Sequence, residues 1–235
     1  MNKKFLLKLI VALVMSGIIL TAASSGFANL LSVNRDVESK SNRSVGLQRA
    51  LAFMKNEIRE GVSITQEAAT AWGMCNTSGV TSVNCLVINY RKNQVINGDT
   101  CDEDEPRIYY GYQDIRSNNS SVWLKPGILK RKVVCTSATG GNWQVIADGL
   151  ISVNEANPVD AFTNEVDFCS QGGVNNWTTG NLFGANAGGK GGFRFCLGDT
   201  TSNNRLVRIF LFGHIIGGNA NNIISTNIIT FARAR

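Results

Sequence analysis

The sequence predicts an α+β chain: one long N-terminal helix, membrane-like in its first half and amphipathic in its second, packed on an antiparallel β-sheet domain. Three observations carry this. Residues 9–31 contain no charged side chain. The stretch from there to Gly61 holds no Pro and a single interior Gly, Gly46, so no strong breaker interrupts a helix. Beyond residue 61, long helical periodicity gives way to short β-branched and aromatic runs separated by Gly and Asn. The expected divisions are 1–31 for the transmembrane half of the helix, 32–61 for its amphipathic half and 62–235 for an exported β-rich head.

The first half has the dimensions of a membrane span, since about 20 residues at 1.5 Å rise cross a hydrocarbon core of roughly 30 Å. Its small residues, among them Ser16, Gly17, Ala22, Ala23 and Gly26, let neighbouring helices approach closely. Lys3 and Lys4 precede the run and mixed charge follows it. By the positive-inside rule the N-terminus is cytoplasmic and the chain crosses the membrane once, which puts the C-terminal domain on the far side, with membrane lipid as a partner. The competing expectation is a secretory signal peptide cut near Ala23 or Ala28, releasing a secreted carbohydrate-binding domain. Against it, the apolar run is long for a signal peptide and shows no clean Ala-x-Ala site.

In the second half, Leu47, Leu51, Met54 and Ile58 recur at spacings of four, three and four, which puts them on one helical face. They are the expected helix-to-head packing residues. Arg49, Lys55, Glu57, Arg59 and Glu60 fall largely elsewhere, and Gly61 is the expected stop. A single helix from Phe5 to Glu60 would be roughly 80 Å long. Such a rod outruns a small domain, so half of it must meet lipid or neighbouring copies.

Strands are expected at Leu86–Tyr90, Arg107–Tyr112, Ser121–Lys125, Ile128–Val134, Trp143–Ile146, Phe193–Leu197, Leu206–Phe212 and Ile223–Phe231. Pro126-Gly127 and Asn97-Gly98 read as turns. Residues 171–192, rich in Gly and Asn, read as a long irregular loop. Cys75, Cys85, Cys101, Cys135, Cys169 and Cys196 all lie beyond the membrane half, an even number suited to an oxidising compartment. Nearest-neighbour pairing (75–85, 101–135, 169–196) is the simplest of fifteen connectivities, with buried free thiols as the competing reading.

Motifs that would carry chemistry mostly fail. Residues 184–190 match the start of a phosphate-binding loop, but Gly191 stands where Ser or Thr should hold Mg²⁺. His214 is the only His, and no nucleophile elbow is present, so neither an enzyme nor a cofactor is expected. The acidic cluster Asp99, Asp102, Glu103, Asp104 and Glu105 reads first as a solvated loop. Calcium at Asp99, Asp102, Asp104 and Glu105 is the alternative. Of the net charge of +6, three units sit at Lys3, Lys4 and Lys8. The strip Lys125, Lys130, Arg131 and Lys132 reads as a solvated strand edge, so nucleic acid is not an expected partner. Trp177 reads as a packing side chain, with sugar stacking as the alternative.

The run LIVALVMSGIILTAASSGFANLL followed by LQRALAFMKNEIREGV resembles the N-terminal helix of minor pilins and type II secretion pseudopilins. It is similar above all to cyanobacterial pseudopilins of hormogonium polysaccharide secretion. RIYYGYQ, VWLKPGILKRK, VIADGLISV and the ending ITFARAR fit the same resemblance. It implies a pilin-like fold, a structural role in a type IV pilus or type II secretion-like fibre serving polysaccharide secretion or motility, other pilin subunits as partners through the N-terminal helix, and polysaccharide as a candidate partner. Family members are cut after a Gly just before Phe-Thr-Leu-x-Glu. Here one register puts Lys3 at the Gly, Lys4 at the first mature residue and Lys8 at the Glu. Starting from Phe5 instead puts Lys4 at the Gly and Leu9 at the Glu. The peptidase motif is thus degenerate at Lys3, Lys4, Phe5 and Lys8. A Lys at the Glu position would repel the neighbouring N-terminal amine that the Glu normally pairs with.

Overall fold

The structure is a computed structural model that describes residues 3–68, 75, 82, 84–96, 99–101, 106–135, 141–153, 169, 182–185, 191–198, 204–215 and 223–233. It has one long N-terminal helix and an antiparallel β-sheet domain. Helix α1 runs unbroken from Lys3 to Glu60, 58 residues, or about 87 Å at 1.5 Å per residue. It ends where expected. The amide of Gly61 donates to the carbonyls of Glu57 and Ile58, both at 3.1 Å. A Cβ at Gly61 would stand 2.4 Å from the Ile88 side chain, so close approach of helix end and sheet requires the glycine.

Among the described residues eleven strands follow in chain order: β1 (Ser63–Ala68), β2 (Asn84–Asn89), β3 (Val95–Ile96), β4 (Asp99–Thr100), β5 (Arg107–Asp114), β6 (Gly127–Val134), β7 (Gln144–Leu150), β8 (Leu182–Gly184), β9 (Phe193–Leu197), β10 (Leu206–His214) and β11 (Ile223–Phe231). Nine of them form one sheet in the order β1-β2-β5-β6-β7-β10-β9-β8, with β11 also paired to β10. Every pairing is antiparallel. β3 and β4 pair separately, Ile96 opposite Asp99; their two-residue connection, Asn97-Gly98, lies outside the described residues.

The sheet is covered on both faces. Strand alternation sends Ile108, Tyr110 and Tyr112 of β5 and Val207, Ile209 and Leu211 of β10 into the main core, which also contains Leu47, Leu51, Met54 and Ile58 of α1. The opposite face carries two smaller clusters. One gathers Val87, Tyr109 and Val134 around Cys75 and Cys85. The other gathers Ile151, Phe210 and Phe212 around Cys169 and Cys196. Disulfides join Cys75 to Cys85, Cys101 to Cys135 and Cys169 to Cys196. Two of the three thus close over the sheet face that α1 leaves uncovered.

Several expectations require correction. Ser121–Lys125 is not a strand; it lies in the connection between β5 and β6, where the Leu124 amide bonds to the Asp148 carboxylate at 3.1 Å rather than to a neighbouring strand. Pro126-Gly127 therefore closes no hairpin, and Gly127 opens β6. The strip from Lys130 to Lys132 is no strand edge. β6 lies between β5 and β7, and Arg131 and Lys132 are buried. The loop expected at 171–192 contains β8, paired to β9. β1 was not expected, because its sequence SITQEA has weak strand character.

Candidate functional site: the helix–head junction

The expected packing face of α1 is where the helix meets the head. Leu47, Leu51, Met54 and Ile58 are all buried, joined by Ala50. Fully burying each large side chain of this kind stabilises by about 1.5–3 kcal/mol. A polar anchor flanks this seam at each end, and neither was read from the sequence.

At the distal end Glu57 is 7 % exposed and Arg131 3 %. Arg131 Nε donates to both Glu57 carboxylate oxygens, at 2.9 and 3.0 Å, and Nη2 donates to Oε1 as well. The Tyr110 hydroxyl donates to Glu57 Oε2, and the Tyr90 hydroxyl to the Glu57 carbonyl at 2.7 Å. The Arg131 guanidinium also lies 5.5 Å from the centre of the Phe53 ring. Burial raises the Tyr90 and Tyr110 hydroxyls well above their ordinary value, with the Glu57 charge adding to it. Both therefore stay neutral and act as donors. Burial works against the Arg131 charge, but the Glu57 carboxylate more than offsets this and holds the guanidinium firmly protonated. Glu57 lies on the margin of the packing face rather than off it, three residues after Met54. The available signal was in β6, where alternation puts Arg131 on the same face as Leu129. A cation in a core-facing strand position calls for a buried partner.

At the other end Arg43 reaches across to the sheet. Its Nη1 donates to the Asp148 carbonyl at 2.8 Å and pairs with Asp148 Oδ1 at 3.1 Å, while Nε donates to the His214 carbonyl at 3.1 Å. The guanidinium lies over Gly149, which has φ +59°. A Cβ there would come within 2.5 Å of Nη2, so another residue would strain the backbone and push the guanidinium from its place. His214 ends β10 and serves the junction through its backbone.

Past Arg43 the helix leaves the head. Leu13, Val14, Met15, Ile18, Leu20, Phe27, Leu30 and Leu31 are all solvent-exposed. This part of the chain is long and apolar enough to cross a membrane. Its hydroxyls turn inward. Ser16 donates to the Leu13 carbonyl at 2.9 Å, Thr21 to Ile18 at 2.9 Å and Ser24 to Leu20 at 2.7 Å, so these polar groups are satisfied within the helix. Lys3 lies in the first turn and is exposed; the side chains of Lys4, Phe5 and Lys8 lie outside the described residues.

The remaining candidate sites are only partly described. Asp99 belongs to β4, while Asp102, Glu103, Asp104 and Glu105 lie outside the described residues, as do Trp177 and residues 186–190 of the Gly-rich stretch. Among the described residues no group of three or more His, Cys, Asp or Glu is arranged to hold a metal ion. Gly184 ends β8, and the following Ala185 amide donates to the Phe193 carbonyl, which is sheet geometry. No family model, curated protein or solved structure matches the chain.

Proposed function

We infer that this protein is a membrane-anchored structural subunit of minor-pilin or pseudopilin type. The observation that carries the reading is the division of α1, one unbroken helix whose last third is locked into a disulfide-stapled sheet domain while its first half exposes an apolar surface. Lipid or the helices of neighbouring copies would cover that surface, as the hydrophobic effect requires of so large an exposed apolar area. The role is mechanical rather than catalytic. The N-terminus lies in the cytoplasm, α1 crosses the inner membrane, and the head is held outside, where its disulfides persist. Polysaccharide secretion or motility as the process served rests on the sequence resemblance alone.

Intact mass, N-terminal sequencing and membrane fractionation of the protein made in its native host test this. Cleavage within the first five residues with methylation, in the membrane fraction, supports a processed fibre subunit despite the altered motif. An intact Met1 in the membrane restricts the role to a static anchor. A soluble product starting near Ser24 or Asn29 overturns the reading in favour of a secreted binding domain.

A further inference from the structure

Among the described residues of the head, Val122, Trp123 and Leu124 form a run of consecutive large apolar side chains left in solvent, 88 %, 45 % and 41 % exposed. They sit in the connection between β5 and β6, which is built to hold them there. The Ile115 amide donates to the Pro126 carbonyl at 2.8 Å and closes the base of the loop. The Trp123 amide donates to Ser121 Oγ at 3.2 Å, and the Leu124 amide to Asp148 Oδ2 at 3.1 Å. The Leu124 carbonyl accepts from the Gly149 amide at 2.8 Å. Lys125 Nζ bonds back to the Arg116 carbonyl at 3.2 Å and to Asn119 Oδ1 at 3.3 Å. Unsatisfied backbone groups cost several kcal/mol near hydrocarbon, so a loop with these bonds already made can approach a bilayer.

The loop is also at the right end of the head. Arg131 and Gln144 lie beside Glu57, whereas Asp148, further along β7, meets Arg43. The strand thus runs toward the apolar half of α1, and Leu124 is bound to its last part. A groove of about 930 Å³ beside α1 is lined from Ala28 and Leu31 to Gly46 on the helix and by Leu124 and Asp148 on the head.

We propose that residues 122–124 are a membrane-interface anchor that seats Val122 and Trp123 in the headgroup layer of the bilayer crossed by α1. The proposal rests on the reading of α1 as a membrane span. Arg43 stands twelve residues beyond Leu31, about 18 Å along the helix, whereas the headgroup layer adds only about 5–8 Å on each side of the core. A perpendicular helix would hold the loop clear of the lipid. Transmembrane helices tilt by up to about 40°. That tilt lowers Arg43 to about 14 Å above the core, and a loop about 10 Å off the axis on the leaning side by about 6 Å more. Interfacial Trp and cationic residues help to set it. The anchor therefore fixes which way α1 leans and which side of the head faces the membrane. A bilayer fits this patch better than a second copy does. Trp123 with Lys125 two residues on is a composition that interfacial belts favour, and three side chains fall far short of the roughly 800 Å² per partner of a stable protein interface.

The test uses the full chain in phosphatidylcholine–phosphatidylglycerol vesicles, with lipids brominated close to the headgroup as quenchers of Trp fluorescence and carbonate extraction as a separate report on the span. The proposal expects a quenched component that Trp123→Phe removes and Val122→Asp diminishes, with resistance to extraction unchanged in both variants. Quenching that Trp123→Phe does not alter, in protein that resists extraction, overturns the anchor and leaves the span standing. Release of the protein by carbonate overturns both. Shielding of Trp123 from acrylamide only at high protein-to-lipid ratio overturns the anchor in favour of contact between copies.

Discussion

The two ends of α1 share one backbone and differ in almost everything that touches it. From Arg43 to Ile58 the helix buries an apolar seam with a polar anchor near each end, Arg43 on Asp148 and Glu57 on Arg131. From Leu13 to Leu31 large apolar side chains stand exposed, and the hydroxyls bond to their own helix. Side chains of similar hydrophobicity thus do different work. In the seam, Leu51 contributes to the folding of the head. In the free half, Leu20 contributes to whatever environment surrounds the helix.

The largest effect should come from charging the seam. Leu51→Asp loses the packing of a fully buried side chain and buries a carboxylate without a partner, an expected cost of at least about 4 kcal/mol. Thermal denaturation should show the head unfolding far earlier, and an unchanged Tm would remove the seam as the link between helix and head. Next comes Arg131→Met, which leaves the Glu57 carboxylate buried and uncompensated at a cost of about 3–5 kcal/mol. Adding Glu57→Leu and Tyr110→Phe should recover most of that stability, because a buried ion pair replaced as a whole by apolar groups is often close to neutral. Failure of the triple variant to recover in urea melts would mean that the cluster contributes more than the sum of its polar parts.

The same kind of change in the free half should leave the head untouched. Leu20→Arg places a charge in the apolar run, which disfavours insertion by about 2.5–3.5 kcal/mol when central. Membrane retention in fractionation should fall, while the melting of the head in detergent stays within about 0.5 kcal/mol of the parent. A head destabilised by Leu20→Arg would show that the two halves are energetically coupled. The smallest effect is with pH. Tyr90 and Tyr110 titrate higher in the folded protein than unfolded, so the stability they confer is whole below the unfolded tyrosine value of about 10 and is lost as pH rises from there through their raised native values. The slope reaches at most about 1.4 kcal/mol per pH unit for each tyrosine. Tyr110→Phe should flatten the alkaline fall in Tm; an equally steep fall in the variant would assign it to other groups.

Much of this comparison was legible in the residues. The uncharged run, the four-three-four spacing from Leu47 to Ile58 and Gly61 after Glu60 are local patterns, and helix geometry converts them directly into faces and ends. Most strands were legible too, because Val, Ile, Phe and Tyr cluster in β5, β6, β9, β10 and β11. Ser121–Lys125 misled because Val122, Trp123 and Leu124 have strand composition, although they line a loop facing solvent. Which groups pair in the anchors was not legible. Glu57 and Arg131 are 74 positions apart, and Arg43 meets a carbonyl at His214, 171 positions away.

The sequence by itself determined that the chain begins with a helix long and apolar enough to cross a membrane, that this helix continues as an amphipathic one, and that a β-rich domain follows it. These are consequences of periodicity and composition, which act over a few residues. Only the tertiary structure decided that a carboxylate on the margin of the apolar stripe is buried, that a basic strip belongs to the middle of the sheet, and that an apolar triplet stands exposed on the head at the rim nearest the free helix. Burial of charge depends on which distant group arrives to compensate it, and only strand order brings Arg131 to Glu57 and Asp148 to Arg43.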